Sequence, residues 1–191
     1  MRHFAKRPEP FAGRPGPRKL GAMISLWSLS CLVVLGACLV WLAVVDLRTG
    51  YLPDAVQVVL ALAGFAAALI GSPIGISWPA ALTGAIVNGG IFWGLRWVVS
   101  RLKGREAMGL GDVKLVAAGG MWIGPWALPY IMAAGGILTL VGAAVAGAAT
   151  GKPVWRGEMP LGPGLAAGIL GTFIAGLAGV TWITLAPLSQ P

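Results

Sequence analysis

Apolar residues fall in long unbroken runs along this chain, separated by short polar stretches. The runs cover Met23–Val45, Ala55–Gly71, Trp78–Val99, Val113–Trp126, Ala127–Ala149 and Leu161–Leu185. A helix that crosses a bilayer needs about 20 predominantly apolar residues, with a range of about 17–25. Five of the runs meet this length. The fourth is short and ends at Gly124-Pro125, so it is expected to be a half-helix, a re-entrant segment or a tilted span shielded by protein. The pattern predicts an all-α fold: a polytopic membrane helix bundle of about six transmembrane helices, the fourth short or broken.

Composition agrees. Hydrophobic residues make up 57% of the 191 and charged residues 10%, against roughly 25% charged in a soluble domain. The net charge of +8 raises the question of nucleic acid, but the basic residues do not line a patch. Beyond the first 22 residues they are Arg48, Arg96, Arg101, Lys103, Arg105, Lys114, Lys152 and Arg156, in or beside the polar stretches near 46–54, 100–114 and 150–160. The alternate connections, near 72–77 and 124–128, carry no charge. Positively charged loops mark the cytoplasmic side, so the three charged stretches are expected to face the cytoplasm, and no nucleic-acid partner is expected.

Residues 1–22 stand apart. They carry Arg2, Lys6, Arg7, Arg14, Arg18 and Lys19 among Pro8, Pro10, Pro15 and Pro17, the composition of a disordered tail. By the parity of the spans this tail would lie outside, against the positive-inside trend, and Met23 offers an alternative start directly before the apolar run. A targeting peptide is the weaker reading, because no small-residue cleavage site is clear. Residues 23–191 are expected to form one membrane-embedded domain.

Five of the six acidic residues lie in the polar stretches. Asp46 ends the first span, where its charge opposes the helix dipole; capping does not explain it, which leaves a functional acid or an interfacial one paired with Arg48. Asp54 follows Pro53 and precedes Gln57 by three residues, the pattern of an N-cap with a capping-box partner. Asp112 follows Gly109-Leu110-Gly111 and opens an apolar helix, so it reads either as an N-cap or as a functional acid. The two glycines permit backbone conformations closed to other residues, or close approach of another segment. Lys114 lies about 200° around the helix from Asp112 and is expected to snorkel to the headgroups. Glu106 and Glu158 read as solvated loop acids. His3 lies in the tail, and Ser25, Ser28 and Ser30 have no base positioned for a triad. Cys31 and Cys38 share the first span, with no Cys/His cluster, so neither a structural zinc, a disulfide framework nor a cofactor is expected.

Two spans separate Asp46 from Asp112, which places both acids at the same side of the membrane. Close carboxylates do not both ionise easily; they share a proton and titrate as a unit. The ionised member can take a proton from water while the protonated one polarises a peptide carbonyl, the division of labour in aspartic proteases.

The surrounding residues resemble a known family. Gly109-Leu110-Gly111-Asp112 with Lys114 resembles the GxGDxK motif of the type IV prepilin peptidases, which are membrane aspartic peptidases. Asp46 followed by Pro53-Asp54 is similar to the family's first motif. Met159-Pro160-Leu161-Gly162-Pro163-Gly164-Leu165-Ala166 is similar to a third patch, with Leu161 in place of the usual Phe, and Glu106-Ala107-Met108-Gly109 resembles the approach to the second motif. The resemblance runs from about Met23 to the C-terminus. It implies that Asp46 and Asp112 are the catalytic pair, with Pro53, Asp54, Glu106, Gly109, Gly111, Lys114, Pro160 and Gly162 in supporting roles. It implies cleavage of the basic leader from prepilins or pseudopilins at the cytoplasmic face of a bacterial inner membrane. Bifunctional members carry an additional N-terminal domain with paired cysteines and also N-methylate the pilin; those cysteines are not found here, so peptidase activity without methyl transfer is expected, as in the short forms dedicated to Flp-type tight-adherence pili. The rival readings are a small proton-coupled transporter or channel, which would place an acid near mid-membrane, and a non-catalytic membrane subunit of a pilus or secretion system. Presenilin-like enzymes share the GxGD pattern but need more spans.

Overall fold

A computed structural model describes residues 26–104, 108–150 and 161–180. All secondary structure among the described residues is helical. α1 spans Leu26–Thr49, α2 Asp54–Ile70, α3 Trp78–Lys103, α4 Leu110–Ile123, α5 Leu128–Thr150 and α6 Gly162–Leu177, with a single 3-10 turn at Pro125–Ala127 before α5. The basic tail, Glu106, Glu158 and Pro160 lie outside the described residues.

Three stretches are long and apolar enough to cross a membrane: α1, α3 and Pro125–Val145. α2 and α6 are apolar but shorter, at 17 and 16 residues. α4 has 14 residues, a length of about 21 Å at 1.5 Å per residue, less than the roughly 30 Å of a hydrocarbon core. Its place in the fold explains how so short a helix survives there. It is the central element, packed by α2, α3 and α6, and α6 in turn packs on α1 and α5. Val113, Leu115, Val116, Ala118, Trp122 and Ile123 are all buried, so the backbone at its ends is shielded by protein rather than exposed to lipid.

The outer surface is apolar. Val33, Val40 and Trp41 on α1, Ile86, Trp93 and Trp97 on α3, and Ile137, Val141 and Val145 on α5 are all exposed. An apolar surface of this extent is a lipid-facing surface, and the chain is a membrane protein.

Several boundaries differ from the expected ones. α1 continues through Asp46 to Thr49 and α4 starts at Leu110, so both acids lie inside helices rather than beside them. The reason is local: Gly50 adopts a left-handed conformation (φ 64°) and its amide donates to the Asp46 carbonyl at 2.8 Å, which closes α1 one turn later than the apolar run ends. α6 closes at Leu177, with Ala178 as its cap.

Gly164, Gly168, Gly171 and Ala175 share one face by spacing, but of the three glycines only the first two are closely packed. A Cβ on Gly164 or Gly168 would run into α5 backbone at Gly135 or Ile131, whereas Gly171 faces open space. Two straight helices touch over a limited length about their crossing point, and Gly171 lies past it. α3 and α4 meet just as closely, with Gly84 and Gly120 backbone to backbone. Asn88, fully buried in α3, donates through Nδ2 to the Gly124 carbonyl at 3.0 Å. Trp122 donates to the Leu60 carbonyl at 2.9 Å and meets Phe173 edge-on, with ring centroids 5.7 Å apart.

Candidate active site

The inward face of α1 is a stripe of Cys31, Leu35, Leu39, Leu42 and Asp46, at steps of three and four. Asp46 occupies the position where the next leucine would fall. That spacing buries it, at 7% exposure. Its partner is not Arg48, which is exposed on the opposite side of the helix, but the backbone amide of Gly162 at the start of α6. The first amides of a helix have no partners within it and carry partial positive charge, so the end of α6 is matched to a carboxylate. The fit is tight: a Cβ at position 162 would lie 2.5 Å from Asp46 Oδ2. Oδ2 itself has no hydrogen-bond partner among the described residues.

Asp112 is the third residue of α4, 8% exposed. The helix caps at Gly109, not at Asp112. The Gly109 amide donates back to the Asp112 carboxylate, which is the acidic half of a capping box. Asp112 also interacts electrostatically with Asp46. Two buried carboxylates from helices far apart in sequence thus lie near enough to interact electrostatically, where α1 ends and α4 and α6 begin.

The motif glycines act through space rather than through backbone freedom. Gly109 has φ −67° and ψ 144°, open to any residue, and neither it nor Gly111 has a positive φ. Gly111 is needed for proximity, since a Cβ there would sit 3.0 Å from Leu52 Cβ. Leu52 belongs to the α1–α2 connection and is buried against this glycine.

The expected roles of Asp54 and Lys114 are both corrected. Asp54 is the first residue of α2, Pro53 occupies the cap position, and no side-chain cap bond forms. Lys114 Nζ lies 2.7 Å from both Asp54 oxygens, so it pairs with this acid instead of extending to headgroups. The reason is that α2 and α4 start side by side. Gln57, expected as the capping-box partner, is 3% exposed and neither carboxamide atom has a partner among the described residues. Pro53, with φ fixed at −63°, sets the chain direction into α2.

Sequence reasoning missed Leu52, the buried Asn88, and Arg96, whose Nε donates to the Met108 carbonyl at 2.8 Å and anchors the turn that leads into α4. A carboxamide in the middle of an apolar span was an available signal for Asn88; Leu52 offered none.

The type IV leader peptidase family model matches residues 33–151. The chain belongs to this family. That match includes Asp46, Asp54, Asp112 and Lys114 and stops before Gly162. Among curated proteins, the chain is 39% identical over 156 residues to a prepilin leader peptidase/N-methyltransferase of Burkholderia pseudomallei, an alignment that covers 77% of this chain and 47% of the relative. It is 34% identical over 149 residues to the protein of that description from Dichelobacter nodosus, covering 78% of this chain and 50% of the relative. It is 34% identical over 147 residues to a type 4 prepilin-like proteins leader peptide-processing enzyme of Escherichia coli, covering 76% and 51%. The aligned part is thus about half the length of these relatives. No solved structure matches the chain.

Proposed function

We propose that this leader peptidase family member is an aspartic endopeptidase that removes the leader peptide from type IV prepilins or pseudopilins, with Asp46 and Asp112 as its catalytic pair. The observation that supports this reading is that two buried carboxylates, each with a backbone amide as partner, lie near enough to interact electrostatically at the junction of α1, α4 and α6. The names of the relatives supply the substrate class.

In this mechanism one carboxylate of the pair is ionised and the other protonated. The ionised member takes a proton from a water molecule as that water attacks the scissile carbonyl carbon. The protonated member donates to the carbonyl oxygen. Collapse of the tetrahedral intermediate breaks the C–N bond, and a proton passes to the leaving amine. The amides of Gly162 and Gly109 fix the two carboxylates, and preorganisation of this kind is what a general acid and base require.

The pair is proposed to face the cytoplasm at the inner membrane. Arg48, Arg101, Lys103 and Lys114 lie at the same helix ends as the two aspartates, and basic residues favour the cytoplasmic side. Gly109, Gly111, Pro53 and Gly162, together with Glu106 and Pro160, are assigned supporting roles.

The experiment is co-expression with a candidate prepilin and immunoblotting for its size. The parent protein is expected to shorten the prepilin, and Asp46→Asn and Asp112→Asn are each expected to leave it full length while still inserting in the membrane. Normal processing by either variant would remove that residue from the catalytic pair.

A further inference from the structure

One contact beside the carboxylate pair is unused by this mechanism. Lys114 follows Asp112 on α4, and Asp54 follows Asp46 across the α1–α2 connection. Lys114 Nζ engages both oxygens of Asp54 at 2.7 Å. Two residues before Asp54 and three before Lys114, Leu52 lies against Gly111. The connection that leaves Asp46 is therefore strapped to the first turns of α4 at two successive points, one apolar and one ionic.

We propose that Asp54 and Lys114 form a positioning clamp that sets the separation of Asp46 from Asp112. Its effect on cleavage rests on the catalytic reading of that pair; its effect on geometry does not.

The side chains are 56% and 51% exposed. A pair so exposed adds little to stability, because water screens it and two flexible side chains must be ordered. Stabilising the fold therefore leaves it little to do. Capping is excluded for Asp54 by the absence of a side-chain cap bond, and Lys114 has its charge committed to the carboxylate. What the contact does supply is a tie between the two segments, one ammonium held against both oxygens of Asp54, and chemistry between two carboxylates is sensitive to displacements well below the scale that unfolds a protein. Leu52 on Gly111 resists approach of the two segments but not their sliding. The ion pair, placed further along both segments, opposes that sliding.

Two measurements test the clamp in the full chain reconstituted in lipid vesicles. The first is steady-state cleavage of a prepilin by Lys114→Met, Asp54→Asn and the double variant. Each single change is expected to lower kcat about fivefold with KM unchanged, the scale an exposed pair can supply, and the double variant is expected to be no worse than either single one. Lys114→Arg, which keeps the charge, is expected to retain most of kcat.

The second measurement uses Asp46→Cys with Asp112→Cys in a chain carrying Cys31→Ala and Cys38→Ala. The rate at which a short bis-thiosulfonate reagent bridges the two cysteines is expected to fall when Lys114→Met is added. Higher ionic strength is expected to slow bridging where the pair is present and to leave the Lys114→Met protein unchanged, since salt screens exposed charges. Unaltered bridging in the Lys114→Met protein would overturn the clamp, as would a double variant whose loss is the product of the two single losses. If the parent leaves every prepilin uncut, the proposed function fails and the bridging rate alone decides the clamp.

Discussion

The amide of Gly162, the first residue of α6, donates to the carboxylate of Asp46 in the last turn of α1. The contact joins two motifs more than a hundred residues apart, and it accounts for the residue type at 162, where a side chain would enter the space of Oδ2.

Gly162→Ala is therefore expected to reduce leader cleavage by about 100-fold, the scale of a misplaced catalytic group. Gly36→Ala, at a position facing open space on α1, is the control and is expected to leave cleavage unchanged. Initial rates for the two variants, compared at equal amounts of membrane-inserted protein, check this.

Removing both aspartates is expected to cost no more than removing one. Groups that act as a unit lose their function together. Residual cleavage by Asp46→Asn, Asp112→Asn and the double variant, measured over long incubations, is expected to be the same. A further drop in the double variant would mean that the two act independently.

The buried carboxamides predict opposite effects on stability. Gln57 has no partner for either polar atom among the described residues, so Gln57→Met is expected to be neutral or to stabilise by about 1 kcal/mol. Asn88 donates to the Gly124 carbonyl. Asn88→Leu leaves that carbonyl unpaired at the end of α4 and is expected to cost about 1–3 kcal/mol. Thermal unfolding in one detergent, followed by circular dichroism, compares the two.

Adjacent glycines on α4 are expected to differ in tolerance. A Cβ on Gly120 meets the backbone of Gly84, whereas one on Gly119 meets only the side chain of Ile169. Side chains can rotate away and helix backbones cannot, so Gly120→Ala is expected to destabilise by about 3 kcal/mol and Gly119→Ala by about 1 kcal/mol. The same unfolding assay reads both.

Much of the fold followed from the sequence alone. Apolar runs of membrane length specify helices because a bilayer tolerates no unpaired backbone, and each run produced one. The shortness of α4 was visible in the position of Gly124-Pro125, and the ordered motifs pointed to the family that the comparison identifies. Burial of Asp46 was also present in its spacing from Leu35, Leu39 and Leu42, because a helix face is a property of one segment.

Tertiary structure decided which segments meet. Local rules favoured Asp54 as a cap and Lys114 as a headgroup contact, and they offered Asp46 only Arg48 as a partner, since those rules see only neighbours in the chain. The parallel start of α2 and α4 gives Asp54 to Lys114, and the arrival of α6 gives Asp46 to Gly162. A segment's periodicity encodes the face it buries but not the segment that covers it. The identity of that covering segment depends on close packing among helices distant in sequence, which no single stretch of residues contains.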